Sequence, residues 1–380
     1  MPSFFGSIHA LACTPWLLVH FTASLLLCLL PRTRPAKEWS LNQAVRMRLV
    51  RLVLKYWSML RLGNRLHHRP GSEGNRLDVI TLAHPRLYKG PATDTAILPA
   101  PLAVTWTPAR PPPPALVRDD LTVVLHFHGG AFVIGDGRDT DTGYLADTLR
   151  KHMGSTHVCT PQYRLSSSAG GRFPAQLQDA VTAYSYLLNQ KGIPASQIIL
   201  SGDSAGANIA LGLLRYIYEY ERDVKLPPPA AVTLWSPWVD VGAALEADMT
   251  RSPNYKTDYL NKDFGRWGAS TISLSAAALS GNPYLSPLRH PFKVDGRIPV
   301  FIHAGHREVL HDDIVEYARK CAEAGWQTRL HVSAGCPHDI LLLGPRIGFD
   351  DAAEAAAREA GLFLSEKSDL RLRVAKQILR

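Results

Sequence analysis

Apolar and polar positions divide the chain into regions of different character. From about residue 121, short apolar runs of strand length alternate regularly with longer stretches of helical period. Strands are expected at 121–127, 156–160, 198–201, 232–235, 298–303 and 327–332, and helices at 139–152, 175–190, 205–220, 310–324 and 349–364. Such alternation argues for the α/β class, with a mostly parallel sheet covered on both faces. One earlier strand is expected at Leu102–Thr107. The Pro-Ala-Arg-Pro-Pro-Pro-Pro run at 108–114 follows it as an extended loop, because proline cannot continue a strand or a helix. Residues 241–295 break the rhythm. They are rich in Gly, Ala, Ser, Asn and Pro, with scattered Trp and Tyr, and read as an insertion between strands.

The first 76 residues follow another pattern. Residues 1–30 carry no Asp, Glu, Lys or Arg, and Leu11 to Leu30 is long enough to span a bilayer, although Pro15 and His20 interrupt it. A cleaved signal peptide would want Lys or Arg ahead of the apolar run, and there is none. At 40–62 the period is helical: Arg48, Arg51 and Lys55 share one face, and Leu49, Val53, Tyr56 and Leu60 another. This region is an interfacial helix or a lid over a site, or an amphipathic helix packed on the body.

Charge sharpens the division. The net +9 resides entirely in 31–76, where eleven basic residues face only Glu38 and Glu73. A nucleic-acid footprint would lie on the folded body, so no nucleic-acid partner is expected. A basic block beside an apolar stretch reads as a membrane flank, with the body on the cytosolic side; secretion is the alternative. No Asn begins an N-x-Ser/Thr sequon, in keeping with a non-luminal body. The expected organisation is a membrane anchor at 1–30, a basic amphipathic region at 31–76, and a body at 77–380 with the insertion at about 241–295. Cys13, Cys28, Cys159, Cys321 and Cys336 show no CxxC spacing and read as reduced thiols. The oligomeric state is not legible.

Candidate chemistry centres on one stretch. The apolar run Ile198 to Leu200 leads into Gly202-Asp203-Ser204-Ala205-Gly206, and a helical pattern follows from Ala207 to Tyr220. Strand, sharp turn with one Ser, and helix form the setting of a G-x-S-x-G nucleophile elbow. Alone, the pattern is common enough to arise by chance. His128-Gly129-Gly130 ends the strand at 121–127, about 75 residues earlier. Consecutive glycines let backbone N–H groups face a site without obstruction, as a developing oxyanion requires. Gly129, Gly130 and Ala205 are the expected amide donors.

A Ser hydroxyl needs a base, and the base needs a carboxylate to orient it. The loop after the strand at 327–332 carries His338, the expected base. The loop after the strand at 298–303 carries Glu308, the expected acid, with Asp312 as its rival. Asp339 is expected to start a helix. His303, His306 and His311 are expected at the surface or behind the site, without a metal. No cofactor is required.

These motifs resemble those of the hormone-sensitive-lipase-like α/β-hydrolases. Tyr163-Arg164-Leu165, Phe173-Pro174-Ala175 with Asp179, Ser236-Pro237-Trp238-Val239-Asp240, Asn282-Pro283-Tyr284-Leu285-Ser286-Pro287-Leu288 and Gly305-x-x-Glu308-x-Leu310-x-Asp312 add to the likeness, from about residue 100 to the C-terminus. The resemblance implies an eight-stranded, mostly parallel sheet, a helical cap built from the N-terminal helices and 241–295, and carboxylester hydrolysis through an acyl-enzyme. Two departures stand out. Ala131 replaces the third glycine after His128, and Ser166 to Gly171 occupy the place of an acidic residue near the entrance. Glu308 and the apolar N-terminus look most like fungal members. The expected activity is cleavage of a short or medium acyl ester. A formamide hydrolase with the same triad is one alternative, and a non-catalytic ligand receptor on the same fold is another.

Overall fold

A computed structural model describes residues 14–15, 18–19, 21–23, 25–114, 120–273, 275–294 and 298–367. Eight strands form one sheet: β1 (Leu77–Ile80), β2 (Leu102–Thr107), β3 (Val123–Phe127), β4 (His157–Pro161), β5 (Ile198–Asp203), β6 (Ala231–Trp235), β7 (Pro299–Gly305) and β8 (Gln327–Ser333). Their spatial order is β1-β2-β4-β3-β5-β6-β7-β8. β2 pairs antiparallel with β1 and β4, and every other neighbouring pair is parallel. The chain leaves β3 toward β4 and returns to place β5 on β3's other side. Open α/β sheets bind ligands in the crevice at such a switch point, beyond the carboxyl ends of the strands.

Among the described residues, the α-helices of eight or more residues are α1 (Leu41–Leu60), α2 (Asp139–Met153), α3 (Ala175–Ser185), α4 (Ala205–Glu219), α5 (Lys262–Ile272), α6 (His311–Glu323), α7 (Ile340–Ile347) and α8 (Asp350–Lys367). Side chains of a strand alternate between faces, which is why the apolar runs feed two cores. On one face Val124, Val158, Ile199 and Phe301 meet Leu145 and Leu149 of α2 and Ala356, Ala360 and Phe363 of α8. On the other face Val123, Leu125, Leu200 and Ile302 meet residues of α3, α4 and α6. β1 and α5 were not expected from the sequence, and of α7 only the start at Asp339 was. β1 has only four residues, α5 lies in the irregular insertion, and α7 carries Pro345 inside it.

The spanning helix expected at 11–30 is corrected. Among the described residues, no helix is long and apolar enough to cross a membrane. Described residues from 14 to 28 are helical, the chain turns at Leu29, and Pro31–Thr33 forms a single 3-10 turn. The end of this segment docks rather than continues: Cys28 is fully buried, and Arg34 Nε donates to its carbonyl at 3.0 Å. The rest of the expected span lies outside the described residues. Single-pass anchoring, and the cytosolic placement inferred from it, are therefore withdrawn.

α1 starts where the 40–62 pattern begins. Ser40 Oγ accepts from Gln43 N, and Gln43 Oε1 accepts from Ser40 N, a reciprocal cap. The helix packs on α5 and α7. Its basic face does not form a free stripe. Arg46 donates to Pro345 O, Arg51 Nη1 donates to Asp258 O at 2.5 Å and Leu260 O at 2.6 Å, and the Arg51 guanidinium lies 4.2 Å over Tyr255. The reading of the basic block as a membrane flank falls with these contacts.

α2 and α8 approach so closely that a Cβ on Gly361 would lie 2.3 Å from the His152 carbonyl oxygen. Backbone cannot yield there as a side-chain tip can. Gly361→Ala should therefore lower unfolding stability by about 1–3 kcal/mol, measured by urea titration, as overpacking does. Unchanged stability would show that the two helices separate without penalty.

Candidate active site

The turn between β5 and α4 carries Ser204 at φ 50 and ψ −116, a strained region for a residue with a side chain. The flanking glycines make it possible. A Cβ on Gly202 would lie 2.4 Å from Gly206 O, and one on Gly206 would lie 1.9 Å from Phe127 O. Ser204 N donates to Trp235 O at 2.8 Å, so β6 holds the turn from the far side.

His338 Nε2 is 2.9 Å from Ser204 Oγ, and His338 Nδ1 is 2.5 Å from Glu308 Oε2. Both His338 and Glu308 are buried. Glu308 Oε1 accepts from Gly305 N at 2.6 Å and from Ser236 Oγ at 3.1 Å. The loops bearing acid and base touch through backbone: a Cβ on Gly305 would lie 2.3 Å from Pro337 O, and Arg307 N donates to Cys336 O. Asp312, the rival acid, is exposed at the start of α6. Asp339 caps α7 through Oδ1 to Leu342 N at 3.2 Å, as expected of a helix start. His303 is buried against Ser333 Oγ, and the His306 and His311 rings meet edge to face.

The loop after β3 corrects one expected donor. Gly129 N–H is engaged: it donates to Asp203 Oδ2 at 2.7 Å. Among the described residues, the amides of Gly130, Ala131 and Ala205 meet no backbone acceptor. Gly130, Ala131 and Phe132 all have positive φ, at 103, 51 and 64, and this run turns the loop back over Ser204. Tyr163 supports it from beneath, stacking on His128 at 4.4 Å and donating from its hydroxyl to His128 O at 2.7 Å. Ser166 Oγ lies 2.8 Å from Thr271 Oγ1 and donates to Phe132 O, so the serine-rich stretch ties this loop to α5.

Four carboxyl groups gather near one imidazole. Burial works against the charged form of His338, but its hydrogen bond to Glu308 and the charges of Glu308, Asp258 and Asp339 raise it to about 9. Burial raises the Asp203 and Asp258 carboxyls to about 6 each. Burial, and then Asp203 beside it, push Asp339 well above the usual carboxylate range. His126 bridges Ser201 and Asp203, and burial lowers it to about 3.

The sequence reading did not single out Asp203, Ser236, Asp258 or Tyr163 as site residues. Asp203 sits inside the elbow motif, and Tyr163 and Ser236 sit inside the further stretches of the resemblance. Asp258 carries no sequence signal. Its Oδ2 accepts from Val309 N at 2.7 Å, and only the folded insertion brings it there.

A family described as alpha/beta hydrolase fold matches residues 124–342. The chain is similar to an acetyl-hydrolase of Streptomyces hygroscopicus, 32% identical over 224 residues, covering 57% of this chain and 69% of that protein. It is similar to the esterase LipU of Mycobacterium tuberculosis, 31% identical over 250 residues, covering 64% of this chain and 77% of that protein. Among solved structures it is similar to an esterase/lipase from an uncultured bacterium, with TM-score 0.60, 21% identity, and coverage of 87% of this chain and 99% of that one. An esterase from the bacterial hormone-sensitive lipase family gives TM-score 0.60 at 22% identity, again covering 87% and 99%. At these identities the two structures speak to the fold alone. Both relatives named here are bacterial, and they lend no support to the likeness to fungal members.

Glu308 is the nearest charge holding up the His338 imidazolium. In isotope-labelled protein the His338 ring should titrate near pH 9, and Glu308→Gln should lower that midpoint by about 1–3 units, the usual effect of one close opposite charge. An unmoved midpoint would show that Glu308 does not set the charge of His338.

Proposed function

The chain belongs to the α/β-hydrolase fold family, and from that premise we propose that it is an esterase of the hormone-sensitive-lipase-like kind, cleaving carboxylic esters through an acyl-enzyme on Ser204. It is a carboxylic ester hydrolase, and no observation favours the formamide reading. The receptor reading is set aside, because the relatives are named as esterase and acetyl-hydrolase and Ser204, Glu308 and His338 are all retained. One observation carries the mechanism: a strained Ser204 with its Oγ 2.9 Å from an imidazole whose other nitrogen meets a buried carboxylate.

The steps follow from the geometry. Ser204 Oγ attacks the ester carbonyl carbon as His338 Nε2 takes its proton. The carbonyl electron pair moves onto oxygen, where the amides of Gly130, Ala131 and Ala205 receive it. Gly129 serves instead as the anchor that Asp203 holds. Glu308 keeps the ring oriented and stabilises the imidazolium. The intermediate collapses, the bond to the alcohol oxygen breaks, and His338 returns the proton to that oxygen. Water repeats the attack on the acyl carbon, His338 takes and returns a proton again, and the acid leaves. Acyl chains of short or medium length are the proposed substrates. The 31–76 region and the 241–295 insertion act as the cap, through α1 and α5.

His338 accepts a proton only as neutral imidazole, so kcat/KM should rise with pH. Because its pKa is raised, the acid limb should lie above 6.5 and toward 9. Glu308→Gln should move that limb down while lowering kcat by about 10⁴-fold, and Asp312→Asn should stay within about threefold of wild type. Equal losses would reassign the acid. Ser204→Ala should abolish turnover of p-nitrophenyl acetate and labelling by a fluorophosphonate; turnover at the wild-type rate would sink the mechanism.

A further inference from the structure

Two cavities of very different size meet at Ser204. One is about 510 Å³ and is lined by His338 as well as Ser204. Leu49, Val53 and Trp57 of α1, Phe264 of α5, and Leu342 and Leu343 of α7 supply its apolar walls. The other is about 20 Å³ and is lined by Ala131, Trp238, Met249, Leu260, Phe264 and Leu310, without His338. A volume of that size holds one water-sized or methyl-sized group.

The reaction assigns the two sides. The alcohol oxygen must receive its proton from His338 Nε2, so the alcohol lies in the cavity that His338 lines. The acyl substituent leaves the same carbonyl carbon in another direction, toward the small pocket. That pocket is rigidly walled. The Trp238 ring stacks on Phe132 at 5.8 Å, its backbone N–H donates to Ser204 O at 3.0 Å, and its backbone carbonyl accepts from Asn208 Nδ2 at 2.9 Å. α5 lies directly on the Ala131 loop, where a Cβ on Gly268 would lie 2.4 Å from Ala131 O, and Ser166 Oγ joins Thr271 of α5 to the Phe132 carbonyl. On the large side Leu49, Val53 and Trp57 remain 47%, 38% and 39% exposed, so an apolar alcohol would cover surface that is otherwise wet.

We propose that the preferred substrates are acetate esters of bulky apolar alcohols, with the acetyl methyl in the Trp238 pocket and the alcohol along α1. This rests on the acyl-enzyme reading of Ser204, fixes which side of the ester is large, and narrows the short or medium acyl range to its short end. Acyl groups longer than propionyl clash with Trp238 and Met249, whereas lengthening the alcohol adds contacts.

Decyl acetate and ethyl decanoate test this directly, since they are isomers that differ only in which side of the ester is long. With the purified full chain, kcat/KM for decyl acetate should exceed that for ethyl decanoate by about 100-fold or more, given that a single misplaced methylene is worth 10–200-fold in a shaped pocket. Met249→Ala, at a half-buried wall position of the small pocket, should raise the hexyl butyrate to hexyl acetate ratio by about tenfold or more. Val53→Trp, in the wall of the large cavity, should lower the decyl acetate to ethyl acetate ratio. Esters hydrolysed with the isomers equal or reversed would overturn the assignment of sides and leave the acyl-enzyme intact. No ester turnover together with no fluorophosphonate labelling of folded protein would overturn both.

Discussion

The chemistry of this molecule depends on one close approach, between the start of α4 and the end of β3. Gly206 sits so near the Phe127 and His128 carbonyls that no side chain fits, and Gly202 sits as near to Gly206. This packing fixes where the Ser204 hydroxyl emerges relative to the Gly130–Ala131 amides. Phe127 pairs with Gly202 across the parallel ladder, so the two loops leave adjacent strand ends in register. Tyr163 beneath His128 and Trp235 behind Ser204 hold the two sides. The strain at Ser204, Ala131 and Phe132 persists because the strands around it are buried and cannot relax.

A second constraint is electrostatic. Burying carboxylates is costly unless each finds donors. Asp203 has Gly129 N and His126, Asp258 has Leu260 N and Val309 N, and Glu308 has Gly305 N and Ser236 Oγ. Each of these bonds also positions a loop of the site. Ser236 does so twice, donating to Glu308 and accepting from Asp339 N at 3.0 Å. The negative surroundings raise the proton affinity of His338 against the effect of its burial.

Much of this was legible from residue patterns, for physical reasons. Strands buried on both faces leave apolar runs, and the helices that cover them leave a 3.6-residue period, so β3 to β8 and α2, α3, α4, α6 and α8 fall where the pattern places them. Ser204, Glu308 and His338 are brought together because each sits at a strand end that the topology fixes. What could not be read depends on encounters between distant segments. Whether Gly129 N–H is free depends on Asp203, 74 residues away in sequence. The Arg48–Arg51–Lys55 pattern leaves a lid and a helix packed on the body both open, because periodicity does not say what a face meets. The uncharged stretch at 11–30 has the composition of a span, but composition does not reveal that Cys28 and Arg34 close its end onto the body.

The N-terminal region joins the substrate cavity to the acid and base. Trp39 Nε1 donates to Gly335 O at 2.7 Å, three residues before His338, and Glu38 pairs with Arg307, next to Glu308. Arg51 grips the 258–260 backbone, whose Asp258 side chain in turn receives Val309 N, while Asn254 Nδ2 donates to Glu308 O at 3.0 Å. The helix that presents Leu49, Val53 and Trp57 to the cavity is thus tied, through Arg51 and then Asp258, to the segment that carries Glu308. The amphipathic pattern at 40–62 thus encodes two faces, one lining the large cavity and one, through Arg51, bonded to the backbone beside Asp258.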